Sequence, residues 1–566
     1  MTQEKFEEHT FSKPWIADGI KQSYKEWGSL ATMEKLTRAN PFKSIPRIFI
    51  ESPTGTGKSS FVLRKLLPQI ASDKMRRRKS VLYLTNRDAL KLQLGNIMKT
   101  STSGFTELQS QDDKLKSYVY QDGENKAVIH LCNYQSILKM LFNGYPNSMF
   151  NIINPEIIET VIFDEVHFFL EDSLFNPFTN LVFTRLIKYY NNSAMIFMSA
   201  TLDASKEWLQ QTLHSLEGEY RTNTGRIIEP KYIYYKNTYT RGNYKFYLYS
   251  SYPQLYEKII SASPLEKWLI FVSSKNTGKA ISSLMCQEYG IPATYLSADT
   301  KNCKTWDQII HKGYFDHRVL VTTKVLDNGV NIVDYNVRNV VLPFSYKSDF
   351  IQMLGRRRIA EDETINVYVE IPDKRKLLTY VKETERKINE MAALRDIRQL
   401  QKLWLSDNRS IKKLFYIDDN ARLCPNNAAW YKLNGILPFY KEMLDSILDY
   451  KAYINKIKSW LPVKNIKSVT YLDSISGENL KTVDEFLEFY KEIPLIPNSV
   501  YEEFMRIYNM ECYNNYAGDK LAEMLNFKKA KNIRKSTINH ALEKMNKPYR
   551  LIKIKKKRFF VRAELP

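Results

Sequence analysis

The chain has 566 residues, 43% hydrophobic and 26% charged, with 84 Lys or Arg against 62 Asp or Glu and a formal net charge of +22. That composition belongs to a globular chain with room for three or four domains and excludes a fibrous or disordered one. The positive excess points to a polyanionic partner such as nucleic acid, the plainer alternative being a lysine-rich proteome.

No apolar run approaches the roughly 20 residues of a membrane span, so no membrane role is expected. Met1–Lys13 is charged and lacks the apolar core of a signal peptide. The five cysteines (132, 286, 303, 424, 512) form no C-x-x-C pair or Cys/His cluster. That argues against a zinc site and for a reducing, cytoplasmic setting.

In chain order, residues 1–40 read as a partly helical lead-in anchored by Trp15, Ile16, Ile20 and Trp27. The apolar run Arg47–Ile50 reads as a strand and Phe61–Leu67 as a helix start. Between them stands Glu51-Ser52-Pro53-Thr54-Gly55-Thr56-Gly57-Lys58-Ser59-Ser60. Strand, glycine-bearing loop and helix are the context a phosphate-binding loop requires; taken alone, a chance Gly-Lys-Ser turn is the alternative. Gly55 and Gly57 let backbone N–H groups close on phosphate oxygens, Lys58 reaches the β- and γ-phosphates, and the Ser59 hydroxyl can hold Mg²⁺. The usual first glycine is Ser52.

Val161-Ile162-Phe163 reads as a buried parallel strand ending in Asp164-Glu165-Val166-His167. A carboxylate pair at the carboxyl end of such a strand stands where ligands bind in open α/β sheets. Asp164 is expected in the Mg²⁺ shell, and Glu165 is expected to orient and deprotonate a water. Ala194–Met198 is another buried-strand run, followed by Ser199-Ala200-Thr201.

At this point the chain resembles a superfamily 2 helicase of the DEAD/DEAH-like (DExH) kind. Ser52–Ser59, Asp164–His167 and Ser199–Thr201 are similar to its motifs I, II and III. Leu82–Arg87 and Asn133–Ser136 are similar to motifs Ia and Ib. Leu269–Ser274 resembles motif IV, Val319–Thr323 running on to Gly329-Val330-Asn331 resembles motif V, and Gln352–Arg358 resembles motif VI. The resemblance covers roughly residues 40–375. It implies two tandem RecA-like P-loop domains of α/β class with ATP and Mg²⁺ between them. Gly55, Thr56, Gly57, Lys58, Ser59, Asp164 and His167 would line the nucleotide site from the first domain. Gln352 and Arg356 would reach it from the second when the domains close. Arg87 and Gln135 would touch a nucleic-acid strand.

Two further positions depart from the family pattern. The second motif VI arginine usually stands three residues after the first, where this chain has Ile359; Arg358 is expected to substitute, with Arg357 as the alternative. Motif V usually ends in Asp and here ends in Asn331. No Q-type adenine clamp is legible upstream of the loop, so base selectivity is open, with ATP the default.

These readings divide the chain into a lead-in (1–40), a first RecA-like domain (41–228), a second (229–373) opening at the strand Lys231–Tyr234, a mainly helical accessory region (374–505) and a winged-helix-like basic module (506–566). Lys374–Leu405 has apolar residues at helical spacing, which fits packing on a neighbouring domain or, less simply, a coiled coil. Leu414–Arg422 reads as a hairpin. In the last segment, Ala517–Phe527 and Lys535–Met545 read as helices, and Leu551–Ile554 and Phe559–Arg562 as strands. Between Lys528 and Arg558 stand thirteen Lys or Arg and one acid, Glu543. Lys528, Lys529, Lys535, Lys555, Lys556, Lys557 and Arg558 are therefore expected to contact nucleic-acid phosphates, which gives affinity rather than sequence readout. A protein-docking surface is the alternative.

The expected activity is an ATP-dependent helicase or translocase. The winged-helix pattern tilts the substrate towards DNA rather than RNA. The alternatives are a motor subunit of a larger restriction, defence or replication assembly, or an RNA helicase.

Overall fold

A computed structural model describes the chain apart from residues 1–6, 23–25, 28–41, 75–78, 87, 101–103, 109–113, 143–151, 225–226, 301–302, 324–329, 373, 393–410, 419–421, 447–450, 473–481, 490–498, 526–534, 555–556 and 563–566. The chain forms two compact units. One holds Met1–Phe246, Pro264–Val367 and Ile371–Ser468; the other holds Tyr247–Ser263, Tyr368–Glu370 and Val469–Pro566.

The first unit contains a nine-stranded sheet. Its strands are β1 (Glu7–Phe11), β2 (Phe42–Glu51), β3 (Ser80–Thr85), β4 (Phe105–Leu108), β5 (Leu115–Asp122), β6 (Asn125–Asn133), β7 (Ile158–Asp164), β8 (Ala194–Ser199) and β9 (Ile227–Asn237), in the order β1-β9-β2-β8-β7-β3-β6-β5-β4. All pairings from β1 across to β6 are parallel, and β5 and β4 close the edge as an antiparallel meander. The central strands are mostly apolar because both faces are covered, as a parallel sheet requires. Phe49, Phe163 and Phe197 face one core; Ile48, Ile162 and Ile196 face the other.

Two boundaries read from the sequence are corrected. The strand containing Lys231–Tyr234 does not open the second domain: β9 pairs with β2 over Phe42–Glu51 and so belongs to the first sheet. Tyr232 and Tyr234 enter one core of that sheet, and Ile233 and Tyr235 the other. Nor is the lead-in separate, since β1 extends the same sheet by pairing with Ile233–Asn237.

A second parallel set lies further along the chain, where Lys267–Phe271 runs between Val319–Thr322 and Val337–Leu342, with Ala293–Leu296 beyond. Val337–Leu342 leads into the helix Lys347–Leu354. The two sheets with their covering helices are tandem RecA-like domains.

The accessory helices Lys374–Ala392, Asn427–Asp445 and Lys451–Trp460 also belong to the first unit. Asn427–Asp445 has Pro438 inside it. Its N-terminal end docks on the first RecA-like domain: Asn426 Nδ2 donates to Ser173 O at 2.9 Å, and Lys432 Nζ meets Glu171 Oε2 at 2.7 Å. Past the proline, Phe439 stacks on Phe344 at 5.6 Å. Trp460 lies 5.5 Å from Phe350 on the helix Lys347–Leu354, and the Tyr453 hydroxyl donates to Ser345 O at 2.9 Å. The aromatics of this region are therefore core, each pair contributing about 0.5–1.5 kcal/mol beyond simple burial. The amphipathic helix is described over Lys374–Ala392, and the rest of the stretch to Leu405 lies outside the described residues.

In the second unit, helices Val483–Phe489, Ser499–Asn515, Gly518–Leu525 and Lys535–Lys544 share one core with an antiparallel ribbon, Tyr549–Ile554 paired with Lys557–Arg562. Phe486, Phe504, Ile538, Leu542, Leu551 and Phe560 fill it. Asn546, left-handed at φ 49, ends the last helix and turns the chain into the ribbon.

Candidate active site

Four parallel strands of the first sheet end side by side, and their carboxyl ends carry the candidate site residues. β2 runs into the loop Ser52–Ser59, β7 ends at Asp164, β8 at Ser199 and β3 at Thr85. This edge is where α/β sheets take ligands. The loop is fastened from behind: Ser52 N–H donates to Ser199 O at 3.0 Å, and Ser52 Oγ lies 2.6 Å from Thr56 Oγ1. Ser52, the departure from the usual glycine, thus supplies a cross-link. Gly57 takes φ 79 as it opens the helix Lys58–Phe61, a conformation that favours glycine. A Cβ there would stand 2.9 Å from the Trp15 ring.

Lys58 is buried and its Nζ donates to Ser52 O at 2.9 Å, so it lies folded against its own loop. Burial pushes its pKa below the usual lysine value, with Glu165 and Asp164 acting in the other direction. The Tyr83 hydroxyl donates to Asp164 Oδ2 at 2.5 Å, and Ser59 Oγ lies 3.5 Å from the same phenol. One side chain from β3 therefore gathers two oxygen donors, a hydroxyl and a carboxylate. That set suits a hard cation keeping several waters, and Mg²⁺ fits it.

Glu165 has φ 53, one of two non-glycine residues among those described with positive φ. Strain of this kind concentrates at functional sites. His167 Nδ1 stands 3.3 Å from Glu165 Oε2 and 2.9 Å from Ser199 Oγ, which also accepts from Thr201 N–H at 3.0 Å. His167 thus ties the acidic pair to the end of β8. Burial pushes Asp164 above the usual carboxylate range, with Glu165 beside it adding to the effect. Burial acts upward on Glu165 too, but His167, Lys58 and Arg356 outweigh it and hold that carboxyl low.

The three arginines of Gln352–Arg358 have different surroundings. Arg356 Nη2 donates to Gln352 Oε1 at 2.6 Å and Nε to Gln352 O at 3.2 Å. Arg357 is buried, ion-paired with Glu363, and donates to Val337 O at 2.9 Å. Arg358 reaches across to the loop of the first domain: its Nη1 would lie 3.5 Å from a Cβ built on Gly55. Burial, with Arg356 next, lowers the Arg358 pKa to about 9. The second domain comes close enough that Gly355 has no room for a side chain against Thr54.

Arg358 Nη1 and Gln352 Nε2 are both buried donors without a hydrogen-bond partner. The orphaned Arg358 donor beside the phosphate-binding loop fits a triphosphate whose outer oxygens would accept from it.

Beside the loop lies a cavity of about 330 Å³ lined by Pro53, Thr54, Asn237, Arg241, Arg358 and Trp460 among others. Asn237 Nδ2 donates to Ser52 Oγ at 3.1 Å and to Lys13 O at 2.8 Å, and the Arg241 guanidinium lies 4.6 Å over the Trp15 ring. The segment upstream of the loop therefore reaches the loop after all. Reading the sequence missed Trp15 and Asn237 as site residues, together with Tyr83. The Lys13-Pro14-Trp15 run was the available signal for the first and the Leu82–Arg87 motif for Tyr83; nothing in sequence placed Asn237.

Of the expected strand-contacting residues, Gln135 is exposed at the start of the helix Tyr134–Phe142, and Lys535 is exposed at the start of Lys535–Lys544. Lys557 and Arg558 lie on a strand of the terminal ribbon rather than in its connection. Arg87, Lys528, Lys529, Lys555 and Lys556 lie outside the described residues, as does residue 329 of the motif V run.

Two family models match the sequence: DEAD/DEAH box helicase over residues 38–208, and helicase conserved C-terminal domain over residues 251–359. The chain is a superfamily 2 helicase, an ATP-hydrolysing enzyme. No curated protein sequence matches it.

Among solved structures, S. cerevisiae Dbp5 bound to RNA and ADP BeF3 is 16% identical over 59% of this chain and 81% of that one, with a TM-score of 0.39. Mss116p bound to ssRNA and AMP-PNP is 13% identical over 77% and 91%, with a TM-score of 0.38. Mycobacterium smegmatis helicase Lhr bound to ssDNA and AMP-PNP is 14% identical over 61% and 42%, with a TM-score of 0.33. Among the described residues no helix is long and apolar enough to cross a membrane.

Proposed function

We propose that this helicase acts on DNA, hydrolysing ATP between its two RecA-like domains to move along one strand. The observation that carries the cleft chemistry is the buried, unpartnered Arg358 Nη1 of the second domain, set against the phosphate-binding loop of the first.

Lys58 leaves the carbonyl of Ser52 for the β- and γ-phosphate oxygens. Glu165, held ionised by His167, Lys58 and Arg356, orients the attacking water and accepts its proton. Ser59 and Asp164 would hold Mg²⁺, which would neutralise charge on the phosphates. Gln352 and Arg358 donate to the oxygens of the departing γ-phosphoryl group, so turnover requires the second domain in place.

Support for DNA comes from the second unit. There the helix Lys535–Lys544 precedes an antiparallel ribbon in the order of a winged helix, a fold that sets a helix in the major groove and a ribbon on the backbone. The basic residues between 528 and 558 would supply phosphate contacts.

The test is a duplex carrying a single-stranded tail, incubated with ATP. Wild type should displace the tailed strand, and Glu165→Gln should not. DNA-dependent ATP consumption that leaves the duplex intact would favour the motor-subunit reading over the helicase one.

A further inference from the structure

One departure from the family pattern, Asn331, touches Arg358, the arginine expected to substitute at the other. Asn331, where motif V usually ends in Asp, accepts a hydrogen bond through Oδ1 from Arg358 Nε at 2.7 Å. The backbone enforces the meeting. Ile332 N–H donates to Arg356 O at 2.8 Å, Arg358 N–H donates to Ile332 O at 2.8 Å, and Ile332 bridges Arg357 in a parallel sense. The pairing leaves Asn331 beside Arg358.

We infer that Asn331 is the positioning residue for the Arg358 guanidinium, and that its neutral amide is required because it aims the cation without discharging it. The inference rests on Arg358 being the γ-phosphate-facing arginine proposed above. A guanidinium has five N–H donors in a rigid fork. Held at Nε by a single neutral acceptor, it keeps Nη1 free towards the loop, where that nitrogen is buried and unpartnered. A carboxylate at the same place would offer a charge-assisted, bidentate grip and compete with the phosphate for the same donors. Arg356 and Arg357 need no such helper, being bound by Gln352 and by Glu363 with Val337.

The experiment uses the full chain with Asn331→Ala, Asn331→Asp, Arg358→Ala and the double variant Asn331→Ala/Arg358→Ala. Single-turnover ATP hydrolysis and binding of a fluorescent ATP analogue are both measured. Asn331→Ala should slow hydrolysis by roughly tenfold to a hundredfold, the usual cost of a misplaced catalytic group, with analogue affinity within about twofold of wild type. Asn331→Asp, although it restores the family residue, should be at least as slow. The double variant should match Arg358→Ala, because a positioning residue has no effect once its client is gone.

Hydrolysis by Asn331→Asp at the wild-type rate, or multiplying losses in the double variant, would overturn the inference while leaving the role of Arg358 intact. Wild-type hydrolysis by Arg358→Ala would instead overturn the reading on which it rests. Unchanged analogue affinity in the slow variants separates lost aim from lost folding.

Discussion

At the residue scale, the proposed chemistry rests on Glu165, with its strained backbone, and on the buried Lys58. Lys58→Ala should weaken triphosphate binding, whereas Glu165→Gln should bind ATP analogue normally and turn over on the order of a hundredfold or more slowly. Near-normal ATPase from Glu165→Gln would remove it from the water-activating role. The arginines separate by environment. Arg358→Ala should cut turnover with little change in stability, while Arg357→Ala should lower the melting temperature, since it removes the buried ion pair with Glu363 and the hydrogen bond to the Val337 carbonyl. A stable Arg357→Ala protein with lost turnover would reverse the assignment. Lys58, Asp164 and Glu165 were legible in sequence because the P-loop and the acidic strand end have fixed spacing. The site roles of Trp15, Tyr83 and Asn237 were not, because each depends on contacts between segments far apart in the chain, and no local pattern encodes those.

At the scale of elements, the helix Asn427–Asp445 depends on its cap. Asn426 is fully buried, accepts from Ala429 N–H, and donates to Ser173 O. Asn426→Ala should cost about 1–3 kcal/mol, combining a lost cap with unsatisfied buried carbonyls. Thermal unfolding at constant ATP analogue concentration would measure it; an unchanged midpoint would mean this helix end carries no stability. In the first sheet, β5 and β6 hold a second titratable device. His130 is buried against Ser117 Oγ at 2.8 Å, and burial lowers its pKa from 6.5 to about 4. The folded state resists protonation that the unfolded chain accepts, so this contribution is whole above about pH 6.5 and is lost as pH falls towards 4. The slope is at most about 1.4 kcal/mol per pH unit. His130→Gln should flatten that limb of the stability curve, and an unaltered limb would exclude His130 as its source. The boundary near residue 228 was misread for a related reason. A turn-rich stretch before an alternating strand looks like a new domain, yet β9 is buried on both faces and pairs with β2, from the start of the same sheet.

For the whole molecule, the charge of +22 and the basic terminal unit bear on the partner rather than on the fold. Helix Ser499–Asn515 shares its core with the ribbon through Phe504 and Phe560, so cutting the chain after Asn514 would expose that core as well as remove charge. Neutralising Lys535, Lys557 and Arg558 to Ala is the cleaner variant. DNA affinity should fall, and the slope of log affinity against log salt should become shallower by roughly one for each phosphate no longer neutralised. An unchanged slope would assign the basic face to another protein or to solvent. Basal ATP hydrolysis should persist in this variant, because the residues proposed for chemistry all lie before Arg358 or at it. The most direct measurement of the central proposal is the steady-state ATPase rate with single-stranded DNA, duplex DNA and single-stranded RNA of matched sequence, for wild type and Glu165→Gln side by side. The proposal predicts strong stimulation of wild type by single-stranded DNA, weaker stimulation by RNA, and none in Glu165→Gln. Equal rates with and without every nucleic acid, or stimulation by RNA alone, would contradict it.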